Sequence, residues 1–305
     1  MLTLDALAPA ELAARLRGEG VLLQTGPFVA CVRSPIAQVA EGLRLLYGAY
    51  PLHAPGSFAD FHIHMKPAGG LRRWLRPQVR FDHDGAAPFQ PLPRSNAFPM
   101  FEWVFNWCVS SRAHAWLIIH AAVVEKDGLA AILPAPPGSG KSTLCAALVN
   151  RGWRLLSDEL ALIGLHDGLL QPVPRPVSLK NASIGIIQRY APQAVFSAAV
   201  ADTAKGAVAH MRAPDASVAR AGECARPAWV IFPKYQAGAA PTLTPLARAP
   251  AFMQLAQNAF NYNVLGAAGF DAMADLAERC GHYQFSYSAL DDAIAVFDAL
   301  PRPAA

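Results

Sequence analysis

The sequence predicts an α/β fold whose larger part is built around one glycine-rich loop. Three observations predict it. Two apolar runs, Leu117–Val124 and Leu129–Leu133, flank the turn Lys126-Asp127-Gly128, so they read as a hairpin whose second strand runs straight into residues 135–142, APPGSGKS. Leu144, Ala147 and Leu148 then share one helix face, closed by Arg151 and Gly152. A further strand, Arg154–Ser157, follows at once. The order strand, loop, helix, strand is the context that a phosphate-binding loop requires.

The elements before the hairpin read as a smaller α+β unit, which sets the expected domains at 1–114 and 115–305. Ser34-Pro35 suits an N-cap followed by the first helical residue, with Ile36, Val39, Leu43 and Leu46 at helical spacing. Phe58–Met65 partly alternates like a strand, and a turn-rich stretch runs from Phe81 to Asn96. Phe101–Trp116 is aromatic and apolar, the pattern of a buried helix. Towards the end, Ala228–Phe232 reads as a strand, and Pro250–Leu265 and Asp271–Arg279 as helices. A last helix opens at Ser288, where Ser288 and Asp291 fit a capping box.

Composition narrows the function classes. With 53% hydrophobic and 16% charged residues, the chain is made to pack. No apolar run approaches the roughly 20 residues that span a bilayer, and the N-terminal stretch, with Asp5 and Glu11 and no basic start, does not read as a signal peptide. The expected location is therefore the cytoplasm, without a membrane partner. The net charge of +4 is modest and the basic clusters are short (Arg72-Arg73, then Arg76), so no nucleic-acid partner is expected. Cys31, Cys108, Cys145, Cys224 and Cys280 lack metal or disulfide spacing and read as single buried thiols.

Chemistry concentrates in residues 135–142, the phosphate-loop pattern with Ala135 in place of its first glycine. Successive N–H groups from Gly138 to Ser142 would form a nest at a helix N-terminus, where donors and dipole both favour phosphate. Gly138, Ser139, Gly140, Lys141, Ser142 and Thr143 are the expected nucleotide contacts, with Lys141 bridging the β- and γ-phosphates and the Ser142 hydroxyl on Mg²⁺. Pro136 and Pro137 lack N–H donors but precede the nest. Ser157-Asp158-Glu159 follows the next strand. If that strand lies beside the loop strand, one carboxylate can take a hydroxyl proton and the other can hold Mg²⁺. A solvated acidic turn is the plain alternative.

His120, the hairpin, the loop and residues 151–159 (RGWRLLSDE) resemble the catalytic core of the HPr kinase/phosphorylase family. The chain is most similar to the divergent branch of HPr-related kinases associated with peptide-modification clusters that contain a small PqqD-like protein. The match covers roughly residues 117–163. It implies a P-loop kinase core of the HPr kinase C-terminal type, ATP and Mg²⁺ as cofactors, and transfer to a hydroxyl of a peptide, protein or small molecule. A PqqD-like partner and a homo-oligomer are both compatible with it. The resemblance makes Asp158 the general base, puts Glu159 near the metal, and puts His120 beside the transferred phosphoryl. Together with Lys141 these are the expected catalytic groups.

The family's downstream E-x-R-G-x-G segment is absent, which leaves HPr itself as acceptor, and reverse phosphorolysis, without their residues here. The nearest stretch, residues 205–212 (KGAVAHMR), reads as a mobile loop offering Lys205, His210 and Arg212 to an acidic or phosphate-bearing acceptor. Arg175 and Lys180 could also neutralise phosphate charge, or could lie on the surface. Two other readings stay open: a nucleotide-binding switch or ATPase in a modification complex, and a kinase for a free metabolite.

Overall fold

In the computed structural model, residues 2–70, 75–83, 87–136 and 138–302 are described. The basic pair Arg72-Arg73, Pro137 and part of the turn-rich stretch lie outside them. In chain order the elements begin with α1 (Pro9–Arg17), β1 (Val21–Thr25), β2 (Phe28–Arg33) and α2 (Ala37–Leu46). They continue with β3 (Phe61–Pro67), β4 (Gln78–Asp82), β5 (Leu92–Pro93) and α3 (Ala97–Arg112). β1 to β5 form one sheet in sequence order, antiparallel except where β2 runs parallel to β3.

The second sheet starts with the hairpin of β6 (Trp116–Lys126) and β7 (Leu129–Pro134). Asp127 and Gly128 close it, both at positive φ (55° and 80°), the two-residue turn that matches strand twist. Then come α4 (Lys141–Val149), β8 (Arg154–Ser157), β9 (Leu160–Gly164), β10 (Leu170–Gln171), β11 (Val177–Lys180), α5 (Ala182–Tyr190), β12 (Val200–Thr203), β13 (Gly206–Met211) and α6 (Asp215–Ala219). The chain finishes with β14 (Arg226–Tyr235), β15 (Thr242–Pro245), α7 (Arg248–Gln257), α8 (Tyr262–Leu265), α9 (Ala267–Arg279), β16 (Gly281–Tyr287) and α10 (Leu290–Asp298). The second sheet has the order β10-β9-β6-β7-β14-β16-β15, with β8 also paired to β6, and β11-β13-β12 form a third sheet.

Alternation along β6 explains the layering. Ile118, Ala122 and Val124 enter one core together with Leu144 and Leu148 of α4, while Leu117, Ile119, Ala121 and Val123 enter another with Leu255, Met273 and Leu276. Helices therefore cover both faces of this sheet, which is why β6 and β7 read as near-continuous apolar runs. α3 is buried on nearly every side, as its all-round apolar sequence predicts. Among the described residues, no helix is long and apolar enough to cross a membrane.

Several boundaries differ from the sequence reading. α2 starts at Ala37, and Ser34 Oγ accepts from the Ile36 N–H just before it. Phe58 is exposed and its strand begins only at Phe61, while α3 spans 97–112 and leaves Trp116 to β6. The last helix opens at Leu290 without a capping box, because the Ser288 hydroxyl accepts from the Gly238 N–H instead. Cys224 is exposed, and the other four thiols are buried. Residues 205–212 are not a loop. Lys205 lies at a hairpin turn, where Gly206 has φ 80°, and β13 pairs on both edges.

Candidate functional site

β6 is longer than its neighbours, and that length creates the site. Its first half pairs with β9, up to His120 opposite Leu160, and its second half with β8, from Val123 opposite Ser157. Asp158 and Glu159 are the bend between those two registers, and the Ser157 hydroxyl holds it by accepting from the Leu160 N–H at 3.1 Å. On the other edge of β6, Ala121 pairs with Pro134, the last residue of β7. The acidic bend therefore sits level with the start of the glycine-rich loop, one strand away. The condition that β8 lie directly beside the loop strand is not met, because β6 lies between them.

The loop is braced from the far ends of two strands. Tyr235 of β14 donates its N–H to the Ser139 carbonyl at 2.9 Å, and the Tyr287 hydroxyl of β16 donates to the Gly140 carbonyl at 3.0 Å. Gly138 and Gly140 both have positive φ, 86° and 91°. A Cβ on Gly140 would come within 2.6 Å of the Tyr287 hydroxyl, whereas one on Gly138 would meet no atom within 4 Å. Gly140 caps α4, so the first N–H groups of that helix, which have no intrahelical acceptor, face the loop.

Lys141 opens α4 and is only 7% exposed, and its ammonium makes no hydrogen bond to any described group. Burial lowers its pKa below the ordinary lysine value, against the opposing pull of Glu159 and Asp158. A buried ammonium without a partner is costly, which makes Lys141 a candidate contact for an anion. Ser142 lies close enough to Asp158 to favour that residue's charged form. Thr143 follows it, partly buried, on the first turn.

The acidic pair has two different environments. Asp158 Oδ2 accepts the Ser178 N–H at 3.0 Å, while Oδ1 has no partner among the described groups. Burial, reinforced by the neighbouring Glu159 charge, pushes the Asp158 carboxyl above the usual range, and Lys141 and the Ser178 N–H offset this only in part. Burial would raise Glu159 too, but the His120 hydrogen bond (Nε2 to Oε2, 3.0 Å) and the Lys141 and Lys180 charges outweigh it and hold Glu159 low. One carboxyl is thus tuned to take a proton and the other to stay charged. Because β8 ends at Ser157, strand alternation does not separate the two side chains. Both line one small cavity of about 20 Å³.

The proposed acceptor contacts divide. Lys180 and Lys205 are electrostatic neighbours of each other and of Glu159, and the Lys205 ammonium lies 5.5 Å from the centre of the Trp103 ring. Arg175 is corrected from a phosphate contact to an internal strut. It pairs with Glu102, donates to Asn106 and the Tyr47 hydroxyl, and stacks on Phe105. Arg212 is corrected as well, since it pairs with Asp215 on the neighbouring turn. His210 is 1% exposed, so it is not a surface contact. Sequence reasoning missed Ser178, whose N–H holds Asp158, and the tyrosines that brace the loop. Their signal is weak: Ser178 lies within β11, and the two tyrosines are the last residues of β14 and β16.

Among the described residues, no cluster of three or more His, Cys, Asp or Glu is placed to hold a metal ion. A cation held here would rest on Ser142, Glu159 and a bound anion, and the oxygen chemistry of those groups suits Mg²⁺.

No family model matches the chain, and no curated protein matches it. Among solved structures, the chain is similar to the Hpr(Ser) kinase/phosphatase from Coxiella burnetii. The two are 12% identical over 60% of this chain and 95% of that one, at a TM-score of 0.28. A likeness that slight carries no argument about this chain.

Proposed function

We propose that the chain is an ATP-dependent kinase that phosphorylates a hydroxyl group. The observation that carries this reading is the unpartnered, buried Lys141 ammonium at the mouth of a glycine-rich helix start, with Asp158 and Glu159 beside it. Mg²⁺-ATP supplies the electrophilic phosphoryl group and screens its charge. The loop amides of 138–143 and the Lys141 ammonium bind the phosphates, so residues 135–142 act as a P-loop. The Ser142 hydroxyl and Glu159 would hold the cation, with Glu159 kept charged by its hydrogen bond to His120. Asp158 takes the acceptor's proton, and the His120 imidazole turns towards the transferring group. Lys180 and Lys205 face an acidic or phosphate-bearing acceptor, which is a peptide, protein or small molecule, with a PqqD-like protein as partner in the peptide case. In this reading residues 1–114 pack on the rest of the chain through one shared core, which holds Arg175 against Glu102, and the protein works in the cytoplasm.

A second reading, a nucleotide-binding switch or ATPase, is favoured by the lack of the E-x-R-G-x-G segment and its acidic metal ligand. ADP release with and without peptide and alcohol acceptors separates the two. Acceptor-dependent release that Asp158→Asn abolishes supports the kinase, and release indifferent to every acceptor supports the ATPase.

A further inference from the structure

Behind Asp158 lies a cavity whose walls carry more unsatisfied polar atoms than a dry core tolerates. Ser178 of β11 and His210 of β13 are directly opposed across an antiparallel pair, so their side chains share one face. Both line the cavity with Asp158. Asp158 Oδ1, Ser178 Oγ and both His210 ring nitrogens are buried, and none bonds to a described protein group. The three residues are 4%, 8% and 1% exposed. Buried polar atoms in native proteins are almost always partnered, by protein or by ordered water.

The cavity volume, about 20 Å³, suits one water molecule, and three polar groups supply the two to four partners that a buried water needs. The carboxylate oxygen can only accept here, the hydroxyl can do either, and a neutral imidazole offers one donor and one acceptor. Burial disfavours the charged form of His210, and of the charges around it Glu102 and Glu159 oppose that shift while Arg175 and Lys180 add to it. The Phe98 ring closes its other side, edge-on at 5.5 Å.

We propose that this cavity is a single-water site held by Asp158, Ser178 and His210, and that His210 is a positioning residue which fixes the Asp158 carboxylate through that water. The consequence for Asp158 rests on the kinase reading, but the water site does not. Ser178 then holds the carboxylate twice, by its N–H on Oδ2 and by its hydroxyl through the water on Oδ1. His210 never touches substrate.

The test has a crystallographic arm and a kinetic arm. In the wild-type crystal structure, density for one water within hydrogen-bond distance of Asp158 Oδ1 and a His210 ring nitrogen is expected, and a dry cavity overturns the proposal. In His210→Phe the water should be gone and the 3.0 Å contact between Asp158 Oδ2 and the Ser178 N–H should be lost or split between conformers. An unmoved carboxylate overturns the positioning role. Kinetically, His210→Phe should lower kcat roughly tenfold, the loss of about one hydrogen bond, with ATP affinity unchanged and largely restored in His210→Gln. An unchanged kcat in folded His210→Phe also overturns it. If the wild type transfers no phosphoryl group at all, the kinase reading fails while the two crystallographic outcomes still decide the water site. If His210→Phe does not fold, His210→Gln and the wild-type density decide it.

Discussion

His120 and Glu159 meet at 3.0 Å, imidazole Nε2 to carboxylate Oε2, across the point where β6 exchanges one neighbouring strand for another. That contact keeps one acid of the bend charged, while its neighbour Asp158 is pushed the other way. Glu159→Gln should therefore raise the Mg²⁺ concentration needed for activity at least tenfold, and His120→Phe should do so more weakly. Asp158→Asn should stop transfer at any Mg²⁺ concentration. Mg²⁺ titrations of the three variants check this, and identical curves for Glu159→Gln and wild type would contradict it.

The raised pKa of Asp158 gives stability and activity opposite pH dependences. Between the usual aspartate range and its raised value, the folded chain binds more protons than the unfolded chain. The stability it contributes is thus full below that window and is lost as pH rises through it. Transfer runs the other way, because only the carboxylate accepts a proton, so kcat/KM should climb through the same window. Urea denaturation and rate profiles against pH measure both, and Asp158→Asn should flatten the stability slope.

The loop glycines should respond unequally. Gly140→Ala combines a left-handed backbone with a 2.6 Å clash against the braced Tyr287 hydroxyl, and should cost at least about 2 kcal/mol. Gly138→Ala meets the same backbone strain in open space and should cost about 1 kcal/mol. Equal losses in urea denaturation would argue against the tyrosine brace.

Much of this was legible in the sequence. The hairpin turn at Asp127-Gly128, the helix after the loop and the strand Arg154–Ser157 fall where local chemistry put them, because each rests on contacts close in sequence. The acidic bend was legible as a pair of residues but not as a geometry. Its position depends on β6 pairing with two strands in turn, a long-range register that no local pattern records. Arg175 was misread for the same reason, since its partner Glu102 lies 73 residues away on a helix whose apolar pattern hides one buried acid. Residues 205–212 lost their strand reading to Lys205, at the hairpin turn, and to Gly206, the first residue of β13, both poor strand formers.

Arg175 as a strut predicts a stability phenotype. Arg175→Met leaves Glu102 buried and uncompensated, which should cost about 3–5 kcal/mol, and Arg175→Met with Glu102→Leu should recover much of it. Thermal denaturation of the singles and the double checks this. A stable Arg175→Met with altered acceptor KM would return Arg175 to the substrate site.

Lys205 and Arg212 should separate. Lys205→Ala should raise acceptor KM several-fold with ATP affinity unchanged, because Lys205 neighbours Lys180 and Glu159. Arg212→Ala should leave kinetics at wild-type values, because its guanidinium is paired with Asp215. Steady-state kinetics of both variants check the division, and a loss of ATP affinity in Lys205→Ala would move it into the nucleotide site.

The central claim is that a nucleotide's phosphates meet the buried ammonium of Lys141. Calorimetric titration of Mg²⁺-ATP into wild type and Lys141→Ala tests it most directly, with urea denaturation of both proteins alongside. The account predicts saturable binding by wild type, at least about a hundredfold weaker in Lys141→Ala, which should be as stable as wild type or more so without ligand because a buried, unpaired charge is gone. No binding by wild type, or equal binding by a well-folded Lys141→Ala, would contradict it.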